Sequence, residues 1–250
     1  MRAVAIRRIG GVRVVFEPVG AAAERIERLR AAFPERGHAA QVVTLNPLMY
    51  LCARRDAAVY AAVRNAELCV ADGIGVALLS PAGRFSHAPG VELVEVLCRT
   101  VAAVGGSVFL YGAKPGVAER AGRVLETRTG VRVAGTRHGY RSDVEEVVHA
   151  VNSCRPDYVF VALSVAQQET WIHRCKHRLN AGVVMGVGGS LDVISGALRR
   201  APPLFRRLGL EWYFRLLQEP RRARRMLGLP LACAVLALDA LSSRHAGTER

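Results

Sequence analysis

Along the first 190 residues, short apolar runs alternate with longer segments whose apolar residues recur every third or fourth position. The runs at 12–16, 41–44, 68–71, 107–111, 131–134, 158–163 and 183–187 read as strands. Between them, 21–33, 48–66, 91–104, 117–127, 143–152 and 167–179 read as helices, the first with Ile26, Leu29 and Phe33 on one side and arginines between. Pro115 suits the first turn of the helix at 117–127, and Ser142 is placed to cap the one at 143–152. This alternation predicts an α/β fold, a Rossmann-like, mostly parallel sheet flanked by helices. After Pro202-Pro203 the pattern changes to an arginine-rich helical tail. The chain therefore divides into an α/β domain, 1–203, and a basic, amphipathic, membrane-associating appendage, 204–250. No internal repeat or low-complexity linker interrupts it.

Charge sharpens this division. The 250 residues carry 35 Lys plus Arg against 21 Asp plus Glu, a formal +14, which suits a polyanionic partner such as nucleic acid, an acidic membrane or a phosphorylated substrate. From Arg199 onward there are eleven arginines and no lysine, opposed by Glu211, Glu219, Asp239 and Glu249. Guanidinium grips phosphate through two parallel hydrogen bonds. The six cysteines are scattered without a C-x-x-C pair, which fits reduced thiols in the cytoplasm. Residues 1–11 hold no apolar run long enough for a signal peptide. The most apolar stretch, 226–241, is short and carries Pro230 and Asp239, so it suits lying on a membrane better than crossing one.

The candidate chemistry centres on Leu68-Cys69-Val70-Ala71-Asp72-Gly73-Ile74-Gly75. Ligands of open α/β sheets sit outside the carboxyl ends of the strands, so Asp72 either caps a helix starting near Gly73 or stands where chemistry happens. Thr44, Asn46, the turn at 112–116, Gln168, Glu169 and the loop at 186–192 fall on the same rim. Either glycine-rich turn could cradle an anion or simply pack tightly. No G-x-G-x-x-G opens the first βα unit and no G-K-[ST] follows a strand, so the dinucleotide and P-loop fingerprints are absent. His173 and His177 could share a metal on one helix, but no H-E-x-x-H accompanies them, Cys175 points away from that face, and a solvated helix surface explains them better. No D-x-D is present either. A diphosphate would then need Arg, Lys or helix N-termini to meet its charge. Arg215, Arg222 and Arg225, spaced by seven and three, share one helix face beside Trp212, Tyr213 and Phe214, and Pro220 is placed to bend that helix. The same face suits anionic headgroups.

These pieces together resemble the WecG/TagA/CpsF glycosyltransferases (glycosyltransferase family 26). The matching stretches are Thr44-Leu45-Asn46, 71–75, 109–116, His138-Gly139-Tyr140, Gln168-Glu169, 186–192, Ser195-Gly196, Arg200-Ala201-Pro202 and 209–225, in the family's order. The resemblance implies a metal-independent, inverting transfer of a sugar from a UDP-sugar to a polyprenyl-diphosphate-linked sugar, in cell-surface polysaccharide synthesis, with no cofactor. It implies Asp72 as general base, Thr44, Asn46 and Gln168 along the sugar pocket, and Arg215, Arg222 and Arg225 closing over the diphosphate. It also implies a peripheral position on the cytoplasmic face of an anionic membrane and no nucleic-acid partner. Apart from the resemblance, the amphipathic tail suggests a segment that moves on membrane contact and displaces a homo-oligomer interface; the sequence does not fix the oligomeric state. Four positions in three stretches depart from the family pattern. P-K-Q-E becomes Ala166-Gln167-Gln168-Glu169, the arginine before P-G becomes His87, and G-x-D becomes Gly90-Val91-Glu92. The family uses N-acetylmannosamine, its uronic acid or glucose donors, and these departures bear on that choice. The rival expectations are an NAD(P)-dependent oxidoreductase and a non-catalytic protein that binds anionic membranes or nucleic acid.

Overall fold

The computed structural model describes residues 5–81, 86–140, 142–219 and 227–245. Strands β1 (Ala5–Ile9) and β2 (Val12–Phe16) form a hairpin, followed by helices α1 (Val19–Ala31) and α2 (Phe33–Arg36). Then come β3 (Ala40–Leu45), α3 (Pro47–Arg55), α4 (Ala57–Arg64), β4 (Leu68–Ala71), α5 (Ile74–Ala77) and α6 (Gly90–Ala102). The chain continues through β5 (Ser107–Gly112), α7 (Val117–Thr129), β6 (Arg132–Arg137), α8 (Val144–Cys154), β7 (Tyr158–Ala162), α9 (Val165–Cys175) and β8 (Val183–Gly186). It closes with α10 (Ser190–Ile194), α11 (Pro203–Arg207), α12 (Glu211–Gln218) and α13 (Leu229–His245).

The eight strands make one sheet in the order β1-β2-β4-β3-β8-β7-β5-β6. Only the β1–β2 pair is antiparallel. Side chains alternate between two buried faces, which is why the central strands read as unbroken apolar runs. Val42, Val70, Leu110, Phe160 and Met185 face α1, α6, α7 and α10. Leu45, Cys69 and Ala71 face α3, α4 and α13, while Phe109, Val159 and Val161 face α8 and α9. Each such Leu, Val or Phe contributes about 1.5–3 kcal/mol by leaving water. The parallel strands β3, β4, β8, β7 and β5 therefore share a rigid carboxyl rim.

Four details differ from the sequence reading. Strand β1 was not expected, because Arg7 and Arg8 interrupt its apolar pattern. The single helix expected over 48–66 breaks at Asp56, whose carboxylate accepts the Ala58 and Val59 N–H groups at 2.8 and 3.2 Å and starts α4 afresh. Asp143, not Ser142, caps α8, while the Ser142 hydroxyl donates to the His138 carbonyl at 2.6 Å. Helix α13 is docked on the α/β body: Ala232, Leu236 and Ala240 are fully buried. The Tyr50 hydroxyl donates to Asp239 at 2.6 Å, and Arg7 reaches the Ala240 carbonyl at 2.7 Å. Its outer face exposes Leu231, Leu238 and Leu241. No helix among the described residues is long and apolar enough to cross a membrane.

Candidate active site

Asp72 leaves the end of β4 with its N–H bonded to the Leu45 carbonyl at 2.8 Å, so the strand ladder itself holds it on the rim. The structure separates the two roles left open for it. Gly73, at φ 78°, is the residue that caps α5, and no side chain caps that helix. A positive φ there costs glycine little. The Asp72 carboxylate is half-buried and receives no hydrogen bond among the described residues. Burial pushes its pKa up to about 7, the Arg215 guanidinium pulls it back, and the Glu211 carboxylate pushes it further up. An acid poised near neutrality, with its oxygens uncommitted, is suited to taking a proton.

The rim around it is built from helix starts and glycine loops. Thr44, 5% exposed, donates from its hydroxyl to the Gly186 carbonyl at 3.2 Å. A Cβ placed on Gly90, the first residue of α6, would lie 3.4 Å from the Ser190 hydroxyl and 3.7 Å from that of Thr44. The N-termini of α6 and α10 therefore converge beside Thr44, with N–H groups suited to an anion. Asn46 caps α3: its side-chain oxygen accepts the Met49 N–H at 3.0 Å, leaving the amide NH2 as the end that can meet a ligand.

Gln168 lies deeper than a pocket wall. It is 1% exposed, its Nε2 donates to Glu169 at 2.8 Å, and its Oε1 accepts the Gly188 N–H at 3.0 Å. Glu169 is fully buried and also accepts from Gln41 Nε2 at 3.0 Å. Burial pushes its pKa up to about 7, against the two amide donors, which lower it. Gly186 leaves the space this network fills, since a Cβ there would fall 2.4 Å from both Gln168 and Glu169. The pair thus supports the 186–190 loop from below.

Helices α11 and α12 fold back over α5. Gly209 packs so close to Ile74 that a Cβ would sit 2.8 Å from its side chain. Phe205 and Phe214 meet edge-on at 5.6 Å. Gln218 exchanges two bonds with the Arg199 backbone, at 2.8 and 2.9 Å. Glu92, in the first turn of α6, pairs with Arg200 and with Arg206, the latter at 3.6 Å. This brings Arg215 into the field of Asp72 and Glu211 into that of both Asp72 and His87. Burial lowers the His87 pKa, while Glu211 and Glu92 oppose the shift. Arg222 and Arg225 lie outside the described residues. The residues not foreseen are Gln41 and Glu211, while Ser190 lies in the 186–192 loop already placed on the rim. The G-L-E-W stretch was a signal for Glu211, whereas nothing local marks Gln41 as the partner of a glutamate 128 positions away.

The sequence matches the glycosyl transferase WecG/TagA/CpsF family over residues 8–246. The chain belongs to that family. Among its relatives, an N-acetylglucosaminyldiphosphoundecaprenol N-acetyl-beta-D-mannosaminyltransferase of Bacillus spizizenii is 36% identical over 224 residues, covering 88% of this chain and 87% of the relative. Proteins of the same name from Bacillus subtilis and Staphylococcus aureus are 32% and 35% identical, covering 82% and 76% of this chain and the same shares of their own lengths. Family membership makes the chain a glycosyltransferase and sets aside the oxidoreductase and non-catalytic readings.

Proposed function

We propose that this glycosyltransferase moves a sugar of the N-acetylmannosamine type from a UDP-sugar to a polyprenyl-diphosphate-linked acceptor sugar, inverting the anomeric centre. The observation that carries the reading is Asp72: a rim carboxylate with no hydrogen-bond donor among the described residues, a pKa pushed up to about 7 by burial, and the field of the Arg215 guanidinium acting on it. Inversion needs a base on one side of the anomeric carbon and a stabilised leaving group on the other. Asp72 takes the proton of the acceptor hydroxyl as that oxygen attacks the anomeric carbon. The bond to UDP breaks, and its diphosphate keeps the electron pair. Arg215, with Arg222 and Arg225, meets the charge that develops there, and the α6 and α10 N-termini add their N–H groups. Arginine in this role makes the reaction independent of a divalent cation.

The acceptor and the sugar are taken from what the relatives are named for, and the rim supports both: it offers polar groups to a sugar and positive charge to a diphosphate. Because the acceptor carries a lipid, the exposed leucines of α13 and the arginines of 199–225 are suited to a peripheral position on an anionic cytoplasmic membrane face. The test is a screen of UDP-sugars against polyprenyl-diphosphate-linked N-acetylglucosamine, with products read by mass spectrometry. Transfer from UDP-N-acetylmannosamine, undiminished by EDTA, is the expected result. No transfer from any UDP-sugar, or activity lost to EDTA and restored by Mg²⁺, would overturn the respective claim.

A further inference from the structure

The amino-terminal edge of the sheet, opposite Asp72, carries a second charged feature that the transfer reaction does not use. A cleft of about 480 Å³ opens between the β1–β2 hairpin, α1 and the end of α4. Arg8, Arg13, Arg25, Arg28 and Arg64 line it, above a floor that includes Val15. Arg8 and Arg13 are directly opposed across the antiparallel hairpin, so their side chains leave the same face of the sheet. Like charges placed this way repel and destabilise the pair.

The nearby carboxylates do not relieve them. Glu17 is held by Arg25 through two bonds, at 2.8 and 3.1 Å. Glu67, also in the lining, receives the Lys176 ammonium at 2.7 and 3.0 Å and the Gln41 N–H at 2.7 Å. Arg28 and Arg64 stand in the last turns of α1 and α4, where the helix dipole favours a cation. Arg8 and Arg13 stand on strands and have no such help. No ion pair joins any of these four to an acid among the described residues; Glu24 stands one turn before Arg28 on α1, whereas Arg8, Arg13 and Arg64 share the cleft without a paired acid.

We propose that this cleft binds a ligand bearing clustered phosphate groups, with Arg8 and Arg13 at its centre. Guanidinium forks engage phosphate oxygens two at a time, and four of them exceed the charge of a single phosphate. The matching chemistry is a diphosphate or a set of neighbouring phosphate headgroups. Because the cleft and Asp72 lie at opposite ends of the strands, both can be occupied together.

The test is hydrogen exchange on the full chain, with three separate additions: inorganic pyrophosphate, phosphatidylglycerol vesicles and phosphatidylcholine vesicles. Pyrophosphate is expected to slow exchange across residues 5–16 and 57–68. Arg8→Thr/Arg13→Thr should weaken that protection with a roughly tenfold loss of pyrophosphate affinity, about what one lost charge-assisted contact is worth. Arg64→Gln, at a helix end remote from the hairpin, should cause a smaller loss and guards against a hairpin that fails to form. Protection by phosphatidylglycerol but not phosphatidylcholine vesicles identifies lipid headgroups as the source, and protection by pyrophosphate alone identifies a soluble one. Unchanged exchange in these segments with every addition overturns the proposal, as does equal protection in wild type and both variants.

Discussion

The two ends of the sheet carry opposite electrostatic problems and have different means of relieving them. At the carboxyl rim, Asp72 loses hydration, and burial raises its pKa to about 7, so the group can shed its charge by holding a proton. At the amino rim, Arg8 and Arg13 confront each other across a hairpin. Guanidinium does not deprotonate in a protein, so that conflict persists until a counter-charge arrives. A titratable acid in a recess lends itself to moving protons, and a set of fixed cations to holding an anion. The comparison therefore supports the chemical role proposed for one edge and the binding role proposed for the other, from charge and burial.

The largest effect should come from removing the group that titrates. Asp72→Asn should lower kcat by about a thousandfold, within the range for a lost general base, while calorimetry shows UDP-sugar binding retained. Full turnover in a folded variant would break the contrast at its first term. In the wild-type enzyme, kcat/KM should rise as the pH passes through about 7 if Asp72 is the base proposed above, since a base acts with its proton lost.

Arg215→Ala should come next, with kcat down about a hundredfold, as for the loss of one donor to a developing charge. It carries a sharper signature in the pH profile. Arg215 lowers the Asp72 pKa and Glu211 raises it. The rising limb should therefore move to higher pH in Arg215→Ala and to lower pH in Glu211→Gln. A limb that stays put in both variants would detach the helix at 211–218 from the acid.

The rim was legible in the sequence because strand ends announce themselves: an apolar run stops, and an acid, an amide or a glycine follows. Asp72, Thr44 and Asn46 stand on that rim for this reason. Whether Asp72 was a helix cap was not legible, since the answer lay in a single backbone angle at Gly73. Strand β1 was hidden because Arg7, which reads as a break in an apolar run, is satisfied by the carbonyls of Leu79 and Ala240, far along the chain. Gln168 and Glu169 were visible as a polar pair. Their depth was not, because it depends on Gln41 in a strand and on the space left by Gly186.

That buried network gives the third prediction, in stability rather than rate. The folded pKa of Glu169 is about 7, above its ordinary value of 4.5, so the folded state keeps the proton to higher pH than the unfolded chain does. Its contribution is complete below pH 4.5 and is lost as the pH climbs toward 7, a change on the order of 3 kcal/mol for a fully buried group. Glu169→Gln removes that slope but sets one amide donor against another, costing about 1–3 kcal/mol. Denaturant titrations should find the variant less stable than wild type at pH 5 and close to it at pH 8. Parallel stability curves would show that Glu169 does not titrate in this interval.

The smallest effect belongs to the amino rim, and it tests the fixed-charge half of the contrast. Arg13→Glu turns the Arg8–Arg13 repulsion into an attraction across the same hairpin. The gain should be about 0.5–1 kcal/mol, or roughly 2 °C in Tm for a chain of this size, in buffer free of phosphate. Transfer activity should not change, since the substitution lies on the edge opposite Asp72. Pyrophosphate should then raise the Tm of wild type and leave that of Arg13→Glu unmoved, closing the gap between them. A variant no more stable than wild type in phosphate-free buffer would mean that water already screens the two guanidinium groups. The amino rim would then hold no stored repulsion for an anion to relieve.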